Sequence, residues 1–379
     1  PAAPVAFVAW SDELFARARA EHRFVLLDLA AVWCHWCHVM DETTYRDPRV
    51  AALIAERFLA VRVDQDADPD LSRRYEDYGW PATIVLAPDG SELVKRRGYL
   101  PPAAMASLLA AIIDDPSPGP SVAPPRAWQP STRTRLTAEA RAALERTLDA
   151  RYDARWGGWG TVHKYLDADA IALALGDPRR RGQARQTLDA ALALIDPVWG
   201  GMYQYSDAVD WRSPHYEKIM RVQADAIASY AGPARAVDPR YLPAARAIGG
   251  YLRDFLTGPD GAFYTSQDAD LDDHTPGAAY YALDAAARRA RGLPRIDRHV
   301  YPRENGWAIR AFVQLHAATG DADWLARARR AADWIDAHRR APAGWYRHGD
   351  ADRAGPYLGD TLAMAEAELA LAGADPGGP

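Results

Sequence analysis

Only two cysteines occur in the 379-residue chain, three positions apart in Trp33-Cys34-His35-Trp36-Cys37-His38, directly after the apolar run Phe24-Val25-Leu26-Leu27-Asp28-Leu29-Ala30. A C-x-x-C pair placed where a buried strand turns into a helix puts the first sulfur at the helix N-terminus, where the helix dipole favours thiolate. This predicts a nucleophile, Cys34, and a resolving thiol, Cys37. Three other readings stay open at this point. One is a zinc half-site in which His35 and His38 complete four ligands. Another is haem attachment, because Cys34 to His38 also spells C-x-x-C-H. The third is a pair of ordinary buried thiols.

Context favours the redox pair. Asp28, six positions before Cys34, is placed to take the proton of the resolving thiol. Gly79-Trp80-Pro81 opens a second apolar run, Ala82-Thr83-Ile84-Val85-Leu86, and a proline there suits a cis peptide that exposes backbone beside the sulfurs. Trp33, His35, Trp36, His38 and Trp80 flank the pair as modulating side chains. Strand, C-x-x-C, helix, strand and X-Pro-strand follow one another in thioredoxin order. The same stretch predicts an amphipathic helix over 11–22 capped by Ser11, a helix opened by Asp47-Pro48, a short strand over 59–63 and a hairpin of 81–87 with 92–96 around Asp89-Gly90. Asp66 to Asp70 read as capping carboxylates rather than metal ligands.

A hydrophobic content of 49% is ample for real cores, and the length predicts two domains. A formal net charge of -6 with no basic stripe argues against nucleic acid. No apolar run is long enough for a transmembrane helix, so no membrane insertion is expected. The chain begins at Pro1, after loss of an initiator methionine or after cleavage of a leader, and the cytoplasm and the periplasm both fit. Residues 114–134, rich in proline, read as a semi-rigid linker between a domain at 1–113 and one at 135–379.

Beyond that linker the period becomes helical, over about 136–151, 168–176, 183–195, 216–231, 241–256, 279–291, 305–319, 322–339 and 357–372. Glycine–aromatic loops recur between these segments, at Trp156-Gly157-Gly158-Trp159, Trp199-Gly200-Gly201-Met202-Tyr203-Gln204-Tyr205, Asp260-Gly261-Ala262-Phe263-Tyr264 and Gly344-Trp345-Tyr346. Repetition in helical hairpins predicts an (α/α) toroid with these loops at one mouth. Polar clusters follow the loops: Lys164-Tyr165, then Asp210-Trp211 through Pro214-His215-Tyr216-Glu217-Lys218, then Asp268-Ala269-Asp270. With Asn305, Trp307 and Asp360, and with Tyr203, Tyr205 and Tyr264, they form a candidate cavity. If Pro214 starts a helix, His215 and Lys218 share a face. Carboxylates at Asp210, Glu217, Asp268 and Asp270 suit acid–base chemistry on a sugar, and equally a buried ion-pair network.

Cys34-His35-Trp36-Cys37-His38-Val39-Met40, Gly79-Trp80-Pro81, the 210–218 segment and Phe263-Tyr264 through Asp270 resemble the spermatogenesis-associated thioredoxin-like family. The resemblance implies an α/β thioredoxin-like domain joined to an all-α toroid similar to six-hairpin glycosidases and sugar epimerases, here complete or partial. It also implies thioredoxin-type roles for Cys34, Cys37 and the buried Asp28, with Pro81 shaping the substrate groove. Between its cysteines the chain carries His35-Trp36 where a thioredoxin has Gly-Pro. The resulting expectation is a thiol–disulfide oxidoreductase acting on a protein dithiol or disulfide, or on a small thiol, with no cofactor. The alternatives are a carbohydrate-binding or carbohydrate-processing toroid with a sugar-like ligand, and a metal- or haem-binding module.

Overall fold

The structure is a computed structural model that describes residues 5–122, 135–236, 238–272, 274–350 and 356–374. The chain divides into two compact units, 1–130 and 131–379. Of the proline-rich stretch 114–134, residues 123–134 lie outside the described residues.

In the first unit the order is α1 (Leu14–Glu21), β1 (Phe24–Ala30), α2 (His35–Thr43), α3 (Pro48–Arg57), β2 (Phe58–Asp64), α4 (Pro69–Tyr75), β3 (Ala82–Leu86), β4 (Glu92–Arg97) and α5 (Pro102–Asp114). The sheet runs β2-β1-β3-β4, with β1 and β2 parallel and the other pairs antiparallel. Every residue of β1 is buried, as a central strand covered on both faces requires. Side chains alternate between the faces. Phe24 and Leu26 pack with Met40 of α2, Val50 and Ile54 of α3 and Leu109 of α5, whereas Val25, Leu27 and Leu29 pack with Leu14 and Ala18 of α1 and Leu71 of α4. The Trp80–Pro81 peptide is cis. This is the thioredoxin-like α/β fold. Asp47 caps α3 by accepting from the Arg49 and Val50 amides, and Asp68 caps α4 through the Leu71 amide. Ser11 does not cap α1, which starts three residues later with the Ser11 carbonyl accepting from the Leu14 amide.

The second unit is helical: α6 (Ala138–Arg151), α7 (Ala168–Gly176), α8 (Arg181–Ala191), α9 (Met220–Ala236), α10 (Leu242–Phe255), α11 (Gly277–Tyr281), α12 (Ala285–Arg291), α13 (Pro302–Thr319), α14 (Ala322–Arg339) and α15 (Leu358–Ala374). Helix α7 pairs with α8, α9 with α10 and α13 with α14, while α13 also packs on α9 and α15. These hairpins belong to an (α/α) toroid-like unit packed around one core that runs from Ile171 through Ile227, Ile248 and Phe312 to Met364. Two-residue strands lie between the helices: β5 (Tyr205–Ser206), β6 (Pro214–His215), β7 (Lys218–Ile219), β8 (Ser266–Gln267) and β9 (Ile296–Asp297).

The glycine–aromatic loops repeat in structure as well as in sequence. Gly158 and Gly200 hold φ of +84° and +73°, and a Cβ on Gly158 would meet the Trp211 indole at 2.8 Å, so only glycine fits. The side chain of Gln223, in the first turn of α9, accepts from the Met202 amide and donates to the Met202 carbonyl, each at 2.7 Å. Asn305, in the first turn of α13, does the same for Phe263, accepting at 2.8 Å and donating at 3.0 Å. Both clamps are buried.

Candidate functional site

In the first unit the two cysteines are joined as a disulfide. Cys34 is the N-cap of α2, and its Sγ accepts the Cys37 backbone N–H at 3.1 Å while its carbonyl accepts from His38. Once the bond is reduced, that amide and the helix dipole stabilise a Cys34 thiolate, which is what a nucleophile needs. A disulfide leaves neither sulfur as a thiolate, so the metal and haem readings concern only the reduced chain. Cys34 is 3% exposed and Cys37 4%.

The loop that delivers Cys34 is held from the end of β2. Asp64 accepts from the Val32 amide at 3.0 Å, and Asp66 accepts the Trp33 indole N–H at 2.9 Å in the interior. Trp33 meets Trp80, the residue before the cis proline, edge to face at 5.9 Å. Trp36 is 41% exposed, between the ring of His35 and that of Tyr99. The capping expectation for 66–70 holds for Asp68 but not for Asp66, whose carboxylate is spent on Trp33.

Asp28 is buried on β1, on the sheet face that α2 covers. It does not stand alone there. Arg62, directly opposite in the parallel register with β2, donates Nε to Asp28 Oδ2 at 2.7 Å. The same guanidinium binds both oxygens of Asp41 on α2. Burial pushes the Asp28 carboxyl above the ordinary carboxylate range, and the Arg62 charge works against that rise. Arg62 and Asp41 escaped the sequence reading. Their only signal was a cation and an anion that the strand order brings beside Asp28.

In the second unit the candidate residues separate into a cluster and a scaffold. The cluster holds Tyr203, Tyr205, His215, Glu217, Asp268 and Asp270, with Tyr216 and Tyr281 added. His215 stacks on Tyr205 at 4.2 Å and its Nδ1 lies 3.7 Å from Glu217. Tyr216 stacks on Tyr281 at 5.1 Å, and Tyr203 meets both edge to face. Asp268 accepts from the Asp270 amide, and Asp270 accepts from the Gly277 amide. Burial, followed by the charges of Asp270 and Glu217, pushes the Asp268 carboxyl up to about 8.

The expected helix start at Pro214 is absent. Pro214–His215 is a strand paired with Tyr205–Ser206, and α9 begins only at Met220. In extended chain alternate residues share a face, so His215 lies with Glu217 and Lys218 turns away. Lys218 is fully buried against the 196–201 loop, donating to Asp196 Oδ2 and to the Gly200 carbonyl at 2.8 Å each, while Arg288 takes the same Asp196 oxygen. Burial lowers its ammonium to about 8. Lys164 repeats the device with Asp153 and the Gly157 and Gly160 carbonyls. The shared string Asp-x-x-Trp-Gly-Gly at 153–158 and 196–201 was the available signal for Asp153 and Asp196.

Elsewhere, the Trp211 indole donates to the Trp156 carbonyl and Asp210 accepts from the Arg212 amide. Asp360 accepts from the Arg303 amide and pairs with His348. Trp307 lies under Arg221 and Arg303, Tyr264 packs beside Gly258, and Tyr165 is exposed.

Residues 1–113 match a protein-family model described as Thioredox_DsbH, "Protein of unknown function, DUF255". Spermatogenesis-associated protein 20 of Homo sapiens is 25% identical over 320 residues, covering 70% of this chain and 39% of that protein. Thiol:disulfide interchange protein DsbD 2 of Pseudomonas aeruginosa is 39% identical over 89 residues, covering 23% of this chain and 15% of that one. Among solved structures, a GH76 α-mannanase of Bacteroides thetaiotaomicron aligns with 16% identity and a TM-score of 0.46, covering 63% of this chain and 64% of that one. The chain thus spans well under half the length of the curated relatives it matches. Among the described residues no helix is long and apolar enough to cross a membrane.

Proposed function

We propose that this chain, a relative of the spermatogenesis-associated thioredoxin-like family with a DsbD- and DsbH-related N-terminal unit, exchanges disulfides with a protein dithiol or a small thiol. The observation that carries the reading is the Cys34–Cys37 disulfide at the N-terminus of α2. In the reduced chain the Cys34 thiolate attacks a partner disulfide, forming a Cys34–partner bond and releasing one partner thiolate. Cys37 gives its proton to the Asp28 carboxylate and attacks the Cys34 sulfur. The Cys34–partner bond breaks, and its electron pair leaves on the second partner sulfur, which takes a proton from solvent. The partner has gained two electrons and the Cys34–Cys37 disulfide has formed. The reverse sequence passes the disulfide to a partner dithiol. Pro81 and the rings of Trp33, Trp36 and Trp80, with His35 and His38, shape the surface against which the partner chain lies, and the helical unit selects or holds the substrate.

Equilibration with glutathione buffers, read by alkylation of Cys34 and Cys37, tests this. A reversible two-electron transition between roughly -270 and -120 mV is expected, the range spanned by working dithiol oxidoreductases. Absence of any transition in that window overturns the reading.

A second reading is favoured by one observation, the gathering of Asp268, whose carboxyl burial pushes up, with Asp270 and Glu217 near the stacked Tyr216 and Tyr281. An acid and a base flanked by aromatic faces suit a sugar, and carbohydrate binding or processing by the helical unit follows. Thermal-shift and turnover screens against a sugar library test it. Neither stabilisation nor product from any member would dismiss it.

A further inference from the structure

Helix α15 is apolar on two sides, and only one of them is covered. Ala363, Met364 and Ala367 are buried on the side that packs on α13, with a lighter contact to α14. Gly306 of α13 lets the two backbones come so close that a Cβ there would meet the Ala363 carbonyl at 2.5 Å, so α15 is seated firmly. On the other side Leu358, Leu362 and Leu369 are 80%, 53% and 74% exposed. Ala365 and Ala372 are exposed in the same row. Among the described residues no other helix exposes more than one large apolar side chain to this degree.

Leu358, Leu362, Ala365, Leu369 and Ala372 follow one another at alternating steps of four and three. That is the repeat of about 3.5 residues with which one helix meets another along its length. A helix that is apolar all round belongs in a core, and here half of the apolar surface has no helix on it.

The row is complementary to itself. In an antiparallel pair with its two-fold axis between Ala363 and Met364, Leu362 lies over Ala365 of the second copy and Leu358 meets Leu369 of the second copy. Glu366 then comes opposite Gly359 and Glu368 opposite Thr361, so like charges do not meet. Glu366 is in any case turned back onto Arg310 of its own α13. A parallel pair sets Ala365 against Ala365 and leaves a gap between the leucine layers. The helix has 17 residues, a length of about 25 Å, which places a pair of them at the small end of specific interfaces and makes the contact reversible.

We propose that the exposed row of α15 is a self-association surface, through which two copies of this chain pair by antiparallel packing of their α15 helices. None of the groups involved belongs to the cysteine pair or to the tyrosine and carboxylate cluster, so the proposal stands apart from both functional readings.

Sedimentation velocity of the full chain from about 1 to about 300 µM tests it. The mass should rise with concentration from one copy to two and stop there, because an isologous contact closes on itself. Leu362→Glu combined with Leu369→Glu should weaken the dimer about 100-fold or more, with the near-UV circular dichroism of the monomer unchanged. Should the double variant fail to fold, Leu369→Ser replaces it, and a weakening of about tenfold is expected. Register is read by oxidative cross-linking in a Cys34→Ser, Cys37→Ser background. A mixture of Leu362→Cys and Ala365→Cys chains should form the mixed dimer faster than either variant cross-links with itself. A monomer at every concentration, growth beyond two copies, a dimer untouched by the leucine changes, or faster cross-linking of Leu362→Cys with itself overturns the proposal.

Discussion

Asp66 shows how much a single carboxylate can be asked to do near a reactive pair. It sits past the end of β2, 33 positions from Trp33 in sequence, yet its Oδ2 takes the indole N–H of that residue in the interior. Without it the indole donor is buried with no acceptor, a penalty of about 1–3 kcal/mol. Asp66→Ala is therefore expected to lower unfolding free energy by that amount in urea titrations of the oxidised chain, and Asp66→Asn, which keeps an acceptor oxygen, by distinctly less. Equal losses in the two variants would mean that the Trp33 contact is not what Asp66 contributes. At this scale the sequence was a partial guide. Cys34 and Cys37 could be picked out by spacing, because their chemistry depends on being three apart on one turn. Asp28 could be picked out by its place in an apolar strand. Its partner could not, since Arg62 is one arginine among many until the strand pairing puts it opposite.

At the scale of the element, the helical unit is a repeated unit with a repeated fastening. A glycine-rich loop turns tightly, and a side chain in the first turn of a toroid helix closes on the backbone of the residue that follows the glycines: Gln223 on Met202 and Asn305 on Phe263. The amide group suits this task because it carries a donor and an acceptor in one plane, matching the N–H and C=O of a single residue. Replacing Gln223 or Asn305 by leucine strands two buried backbone groups, and each variant is expected to lose about 2–5 kcal/mol in denaturant unfolding. A loss below about 1 kcal/mol would show that the loop finds other partners. Asn305 is the chain's only asparagine, and it serves as a clamp rather than as a ligand-facing group. The misread element is 214–219. Proline at a helix start and proline in an edge strand look alike in sequence, and what decided the case was pairing with Tyr205–Ser206, a contact between segments.

On the scale of the whole molecule, the two units obey different rules, and those rules set how legible each was. The thioredoxin-like unit is fixed by short-range signals: continuous apolar strands, capped helices and a thiol pair at a strand–helix junction. The helical unit is fixed by a period that recurs along its length, so its helices and loops could be read, while the allocation of its polar residues could not. By itself the sequence determined the α/β-then-all-α order, the disulfide-forming pair and the glycine loops, because each depends on residues a few positions apart. Tertiary structure alone decided which charges are partnered and which are clustered. Lys164 and Lys218 became internal fastenings, Asp28 became half of a pair with Arg62, and Glu217, Asp268 and Asp270 were gathered from separate segments. The physical reason is that a buried charge takes its meaning from its neighbours, and in this fold those neighbours come from strands and loops far apart in the chain.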